Sequence, residues 1–243
     1  MTRAQVRPFL EESEALGVND FYFTGGEPFL NREMLGILED TLRIGPATVL
    51  TNATLIQEGR ARALAELANA SRYSLEVRVS LDGVTPAMND PIRGEGSFEA
   101  TIRGLRELAR AGMNPILTVA RTWGDALDQE LRERFHEFLR EQGLARPRVK
   151  ILPLFRIGRE AARTHGYGER ERVTEEHMLG FDPWKLQCST SRMVTSRGVY
   201  VCPILIDAPD ARMGRTIRET LRPFPLAHGA CYTCWSTGAT CRN

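Results

Sequence analysis

Five cysteines, Cys188, Cys202, Cys231, Cys234 and Cys241, lie in the last quarter of a 243-residue chain, and none precedes Cys188. Cys231 and Cys234 form a C-x2-C pair, and six residues separate Cys234 from Cys241. A C-x2-C turn directs two thiolates at one centre, and distant cysteines complete the shell. In a reducing compartment such clustered thiols bind metal more readily than they form disulfides. Zinc and a 4Fe–4S cluster both take four thiolates, so five cysteines serve one site and not two. The spacing leaves open which metal and which four.

A second chemistry-bearing stretch is "FYFTGGEPFL", residues 21–30, where β-forming aromatics run into Gly25-Gly26-Glu27-Pro28. Two glycines let a ligand approach the backbone closely. Pro28 ends ladder pairing, because it has no N–H to give. Glu27 then stands at the end of a strand, where α/β folds keep their ligand sites. A cap on the following helix is the simpler use of the same carboxylate.

The surrounding periodicity says what must hold these residues. Helical spacing is expected over 2–16, from a cap at Asn31 through 34–38, over 57–69, from a cap at Ser97 through Leu108, and over 126–142. Strands are expected at 21–24, 47–52, 74–83, 114–122 and 148–158. Strand and helix alternating with connections of this length imply parallel βαβ units, as an open sheet or a partial barrel. The strands end on polar or small residues, including Thr51-Asn52, Ser80-Leu81-Asp82-Gly83 and Thr118 to Arg121, and in a barrel these share one face. Beyond residue 158 the rhythm breaks. A hairpin over 191–205 turning at Arg197-Gly198 and a short helix over 214–221 lead to the cysteine-rich end.

The totals set outer limits. The formal net charge of +1 argues against a broad nucleic-acid surface. No apolar run approaches a membrane span, and the N-terminus lacks a signal-peptide core. A cytoplasmic location is the expectation.

"FTGGEPFL", "TNATL", "VSLDGVTPAMNDPIRGEGSFEATIRGLRELARAGM" and the C-terminal cysteines together resemble the radical S-adenosylmethionine (SAM) superfamily, in the branch with a C-terminal SPASM or twitch domain. The resemblance implies a partial parallel (β/α)6 barrel over residues 1–165 and a small cysteine-rich β-hairpin domain over 166–243. It implies SAM bound to a 4Fe–4S cluster, cleavage to a 5′-deoxyadenosyl radical, and hydrogen abstraction from a peptide or small-molecule substrate. An electron donor such as flavodoxin or ferredoxin would be a partner. By similarity the backbone at Gly25, Gly26 and Glu27, ahead of Pro28, receives the SAM ammonium. Ser80 and Asp82 sit by the ribose and amino-acid moieties, Arg93 pairs with the carboxylate, Leu154 packs near the adenine, and Asn52 lies close by. Asp82-Gly83 as a simple turn and Arg93 as a solvated loop residue are the plainer readings. Cys188, Cys202, Cys231 and Cys234 are the first choices for one auxiliary cluster, with Cys241 as the spare.

The C-x3-C-x2-C loop that defines the family is absent from the sequence. The expectation is a chain missing the first barrel strand and its loop, through a start at an internal methionine. The alternatives are a non-catalytic remnant that binds SAM or a peptide, and a zinc-stabilised binding protein. A missing first strand would leave the next one as an exposed edge.

Overall fold

The computed structural model describes residues 1–238, so Cys241 lies outside the described residues. The chain divides into two compact units, Met1–Ile151 and Leu152–Asn243, which places the division at the end of the fifth strand.

The first unit alternates helix and strand: α1 (Arg3–Ala15), β1 (Phe21–Phe23), α2 (Met34–Thr41), β2 (Ala47–Thr51), α3 (Glu58–Ala70), β3 (Leu75–Ser80), α4 (Pro86–Arg93), α5 (Ser97–Arg110), β4 (Ile116–Ala120), α6 (Asp128–Glu141) and β5 (Arg148–Leu152). The strands form one sheet in the order β1-β2-β3-β4-β5. Pairing is parallel from β1 through β4. Parallel neighbours need long crossovers, and the helices supply them. The order never reverses, so the sheet has no switch point of the doubly wound kind. β1 is an edge strand, paired only with β2 among the described residues.

Register explains which face does what. Phe23, Val49 and Val77 form one cross-strand row, and Thr51, Val79 and Leu117 the next on that face. These rows join Leu38, Leu64, Leu105, Leu108, Phe135 and Leu139 in a single apolar core. The alternate positions carry Tyr22, Thr48 and Glu76 in one row and Ser80 with Thr118 in another. Arg78 lies on that second face, its guanidinium over the Tyr22 ring at 5.2 Å. The sheet therefore has one apolar face and one polar face, a period of two set by the pleat.

Two helix starts differ from the sequence expectation. Asn31 does not cap α2: its Oδ1 accepts from the Glu33 N–H at 3.0 Å, and α2 begins at Met34 without a side-chain cap. Ser97 is the first residue of α5, and the cap position is Gly96 in the left-handed region. The acceptor comes instead from α4. The Asp90 carboxylate receives the N–H groups of Gly96 at 2.8 Å and Phe98 at 2.9 Å.

The second unit contains α7 (Arg159–Thr164), α8 (Glu175–Met178), β6 (Met193–Thr195), β7 (Gly198–Tyr200), β8 (Arg212–Gly214) and α9 (Gly229–Thr237). β6 and β7 form the expected hairpin, turning at Ser196-Arg197, and β8 completes a three-stranded antiparallel sheet. The short helix expected at 214–221 does not form. β8 ends there and only a 3-10 turn at Arg218–Thr220 follows, with the Glu219 carboxylate held by the Arg215 N–H at 2.7 Å. Tyr200, Val201, Leu205, Met213, Ala230 and Cys231 pack into a core of this unit. No helix of the described residues is long and apolar enough to cross a membrane.

One close approach fixes the end of β2. Thr101 of α5 donates from Oγ1 to the Asn52 carbonyl at 2.9 Å, and a Cβ on Gly104 would lie 2.1 Å from the Ala53 carbonyl oxygen. Glycine to alanine in a helix ordinarily stabilises by about 1 kcal/mol. Gly104→Ala is expected to do the opposite and destabilise by about 1–3 kcal/mol through overpacking, read as a lower urea midpoint with an unchanged slope.

Candidate cofactor site and candidate metal centre

The C-terminal ends of β1 and β2, and of β3 and β4, are tied in pairs by acidic side chains. Glu27 follows β1, and its Oε1 accepts from the Phe29 N–H at 3.0 Å and from the Thr51 hydroxyl at 2.7 Å. Its Oε2 accepts from the Asn52 N–H at 2.8 Å. The first bond caps the 3-10 turn Pro28–Leu30, so the plainer reading of Glu27 holds. The other two join β1 to β2, which the sequence did not reveal. Pro28 is buried in first position of that turn. Asn52 is drawn into its own turn, with Oδ1 accepting from the N–H and hydroxyl of Thr54.

Asp82 plays the matching part after β3. It is buried, and its Oδ1 accepts from the Ala120 N–H at 2.7 Å, which joins β3 to β4. Its Oδ2 lies 2.7 Å from Arg93 Nε. The Asp82 N–H donates to Asn89 Oδ1 at 3.0 Å, and Asn89 is fully buried. Asp82-Gly83 is thus more than a turn signal, and Arg93 is more than a solvated loop residue. Both oxygens of Asp82 thus have protein partners, and the side chain is nearly inaccessible.

Gly25 and Gly26 are exposed, and Gly25 has φ of +156°. A Cβ built on either would meet nothing within 4 Å. Packing therefore does not require these glycines, and the space above them is open. Ser80, at the end of β3, faces the polar side of the sheet beside Thr118. Leu154 belongs to the second compact unit.

Asn89 and Asp90 are the residues that sequence reasoning passed over. "NDPIRGEGS" was legible only as part of a resemblance. In the fold Asp90 accepts from Phe98 N–H, Asn89 Nδ2, Gly96 N–H and Ser97 Oγ. Burial pushes its pKa up, but these donors outweigh burial and leave it below the ordinary carboxylate value.

In the second unit, Cys188, Cys202, Cys231 and Cys234 all line one cavity of about 40 Å³, with Phe155, Leu205 and Phe224 among its apolar walls. All four are free thiols. The C-x2-C pair sits on α9, one helical turn apart, rather than on a turn as expected. Burial pushes the Cys231 thiol up to about 11, and the nearby sulfurs of Cys202 and Cys188 add to that. Burial also raises Cys188, while Arg192 works against the rise. Arg192 anchors this loop by donating to the carbonyls of Cys188 at 2.6 Å, Ser191 at 2.7 Å and Thr220 at 2.9 Å. Among the described residues no three His, Cys, Asp or Glu side chains are gathered closely enough to hold a metal ion. The donor set itself, four soft sulfurs in an apolar cavity, has the chemistry of a thiolate-bound iron or zinc centre.

The sequence matches the radical SAM superfamily over residues 1–140, more than half of the chain, and the chain belongs to that superfamily. It is similar to the mycofactocin maturase MftC of Mycobacterium tuberculosis, 33% identical over 113 residues, which is 46% of this chain and 28% of that protein. It is also similar to the GTP 3′,8-cyclase of Peptoclostridium acidaminophilum, 29% identical over 49% of this chain and 35% of the relative. The chain thus spans about a third of the length of these curated relatives. Among solved structures, Streptococcus suis SuiB bound to precursor peptide SuiA matches with a TM-score of 0.65 and 13% identity, over 93% of this chain and 59% of SuiB. Native anSMEcpe with bound AdoMet matches with a TM-score of 0.61 and 17% identity, over 89% of this chain and 70% of that one. These similarities show a shared fold.

Two outcomes follow from the acidic ties. Glu27→Gln keeps the shape but turns a donor towards the Asn52 N–H, and it is expected to cost about 1–3 kcal/mol in a urea melt. The depressed Asp90 pKa makes its contribution complete above the unfolded-state value near 3.9, and that contribution is lost as pH falls through the folded value. Melts of Asp90→Asn should show a shallower loss of stability on the acid side than melts of the parent protein.

Proposed function

We propose that this chain binds SAM along the C-terminal ends of β1 to β3 and works in radical-based maturation of a peptide. The observation that carries the reading is the open, glycine-lined end of β1 together with a guanidinium paired to Asp82 at the end of β3. Carbonyl oxygens around Gly25 and Gly26 would accept from the ligand's ammonium, since no side chain stands in the way. Ser80 would meet the ribose. Arg93 would take the carboxylate, a planar fork suited to that group. The polar face of the sheet suits a hydrophilic ligand, and a sheet wound in sequential order suits a partial barrel.

SAM, when bound with a reduced iron–sulfur cluster, supplies the radical that removes a hydrogen from the substrate. The residues of this chain would do the binding and the orienting. The sequence has no cysteine before Cys188, so no ligand to a SAM-binding cluster is assigned to β1 or the elements around it. Peptide maturation draws on the MftC and SuiB similarities, and a flavodoxin- or ferredoxin-like donor would supply electrons.

In the second unit, Cys188, Cys202, Cys231 and Cys234 would hold one auxiliary 4Fe–4S cluster, closing on it from the walls of their shared cavity. Anaerobic reconstitution with iron and sulfide, followed by metal analysis, tests this. About four irons per chain are expected, with loss of the bound iron in a Cys231→Ser, Cys234→Ser double variant. Stoichiometric zinc without iron would overturn the cluster assignment and favour a zinc-stabilised unit.

A further inference from the structure

We infer that Asp82 is a positioning residue that aims Arg93 at a ligand carboxylate, and that it is not itself a ligand contact. The inference rests on the SAM reading of this site. The Asp82 side chain is 1% exposed and its Oδ2 lies 2.7 Å from Arg93 Nε, while the arginine side chain is 28% exposed. No other carboxylate among the described residues pairs with Arg93. Among the described residues the ion pair with Asp82 at Nε is the one Arg93 makes, which leaves the edge formed by its two terminal nitrogens for a ligand. An arginine on a surface helix end would ordinarily sample many rotamers, and a single exposed ion pair would hold it weakly. This one is different, because its partner is immobile.

The immobility of Asp82 has three sources. Its Oδ1 is held by the Ala120 N–H of β4 at 2.7 Å. Its own N–H is held by the buried Asn89 of α4 at 3.0 Å. Arg93 ends the same helix that carries Asn89, and Asp90 of that helix is locked to the start of α5. The carboxylate and the guanidinium are thus fixed to one another from both ends. A guanidinium ion-paired beside Nε can present its terminal nitrogens to a bidentate carboxylate, the geometry in which arginine is most selective. Lysine has a single ammonium and one point of charge, so it cannot serve Asp82 and a ligand in this way.

The test compares SAM with decarboxylated SAM, which keeps the nucleoside, the sulfonium and the ammonium and lacks only the carboxylate. Both are titrated calorimetrically into the parent protein and into Asp82→Asn. The parent should prefer SAM by about tenfold or more, the scale of a charged hydrogen-bonded pair. Asp82→Asn should lose that preference, binding SAM about as weakly as decarboxylated SAM and leaving the affinity for the latter unchanged. A purely structural Asp82 would weaken both ligands equally and keep the ratio, and that result overturns the inference while the SAM reading stands. A parent that binds both ligands equally removes Arg93 from the carboxylate and overturns the inference as well. Binding of neither ligand by the parent overturns the SAM reading together with it. Should Asp82→Asn fail to fold by circular dichroism, Arg93→Lys decides. Collapse of the ratio supports the paired arrangement, and a preserved ratio contradicts it.

Discussion

The end of a parallel strand leaves backbone groups that the ladder no longer satisfies, and here two carboxylates take them up. Glu27 receives the N–H of Asn52 beyond β2, and Asp82 receives the N–H of Ala120 in β4. Each acid stands just past one strand and reaches to the next. A charge-assisted bond to a backbone N–H is stronger than a neutral one, and away from water it is stronger still. The pair of ties holds the edge of the sheet where the glycine turn, Ser80 and Arg93 are displayed. Without them the residues would remain in the sequence, but their relative positions would not be set.

The same ties explain an apparent contradiction in the two roles of the acids. A carboxylate at a strand end invites assignment as a ligand contact or catalytic group. In this fold the oxygens of Glu27 and Asp82 are already committed to protein donors. What they leave open is backbone at Gly25 and Gly26 and guanidinium at Arg93. Anion and cation recognition at this edge therefore passes from the acids to their neighbours. The cysteine cavity of the second unit is organised differently, since its sulfurs line a largely apolar cavity and its loop is anchored by Arg192.

Much of the first unit was legible in the sequence because its signals are local. Runs such as "ATVLT" and the apolar stripe of Phe98, Ile102, Leu105 and Leu108 announce their strand and helix without reference to anything distant. Gly25-Gly26-Glu27-Pro28 could be placed at a strand end for the same reason. The partners of Glu27 and Asp82 could not be read, because they lie on other strands and no spacing rule links them. Asp90 was missed on similar grounds: it caps a helix from the preceding one, whereas a cap is looked for at the helix's own first residue. Ser97 met that local rule and does not serve as the cap. A C-x2-C pair by itself reads as a turn, whereas here it lies on α9, whose Ala230 and Cys231 pack into the core of the second unit.

The measurement that bears most directly on this account is hydrogen–deuterium exchange of the chain with and without SAM. Protection is predicted in the backbone around Gly25–Asn31, Thr51–Thr54 and Ser80–Arg93, with α3 and α6 on the opposite face unchanged. Exchange that is unaltered at these strand ends, or protection centred on the outer helices, would contradict it.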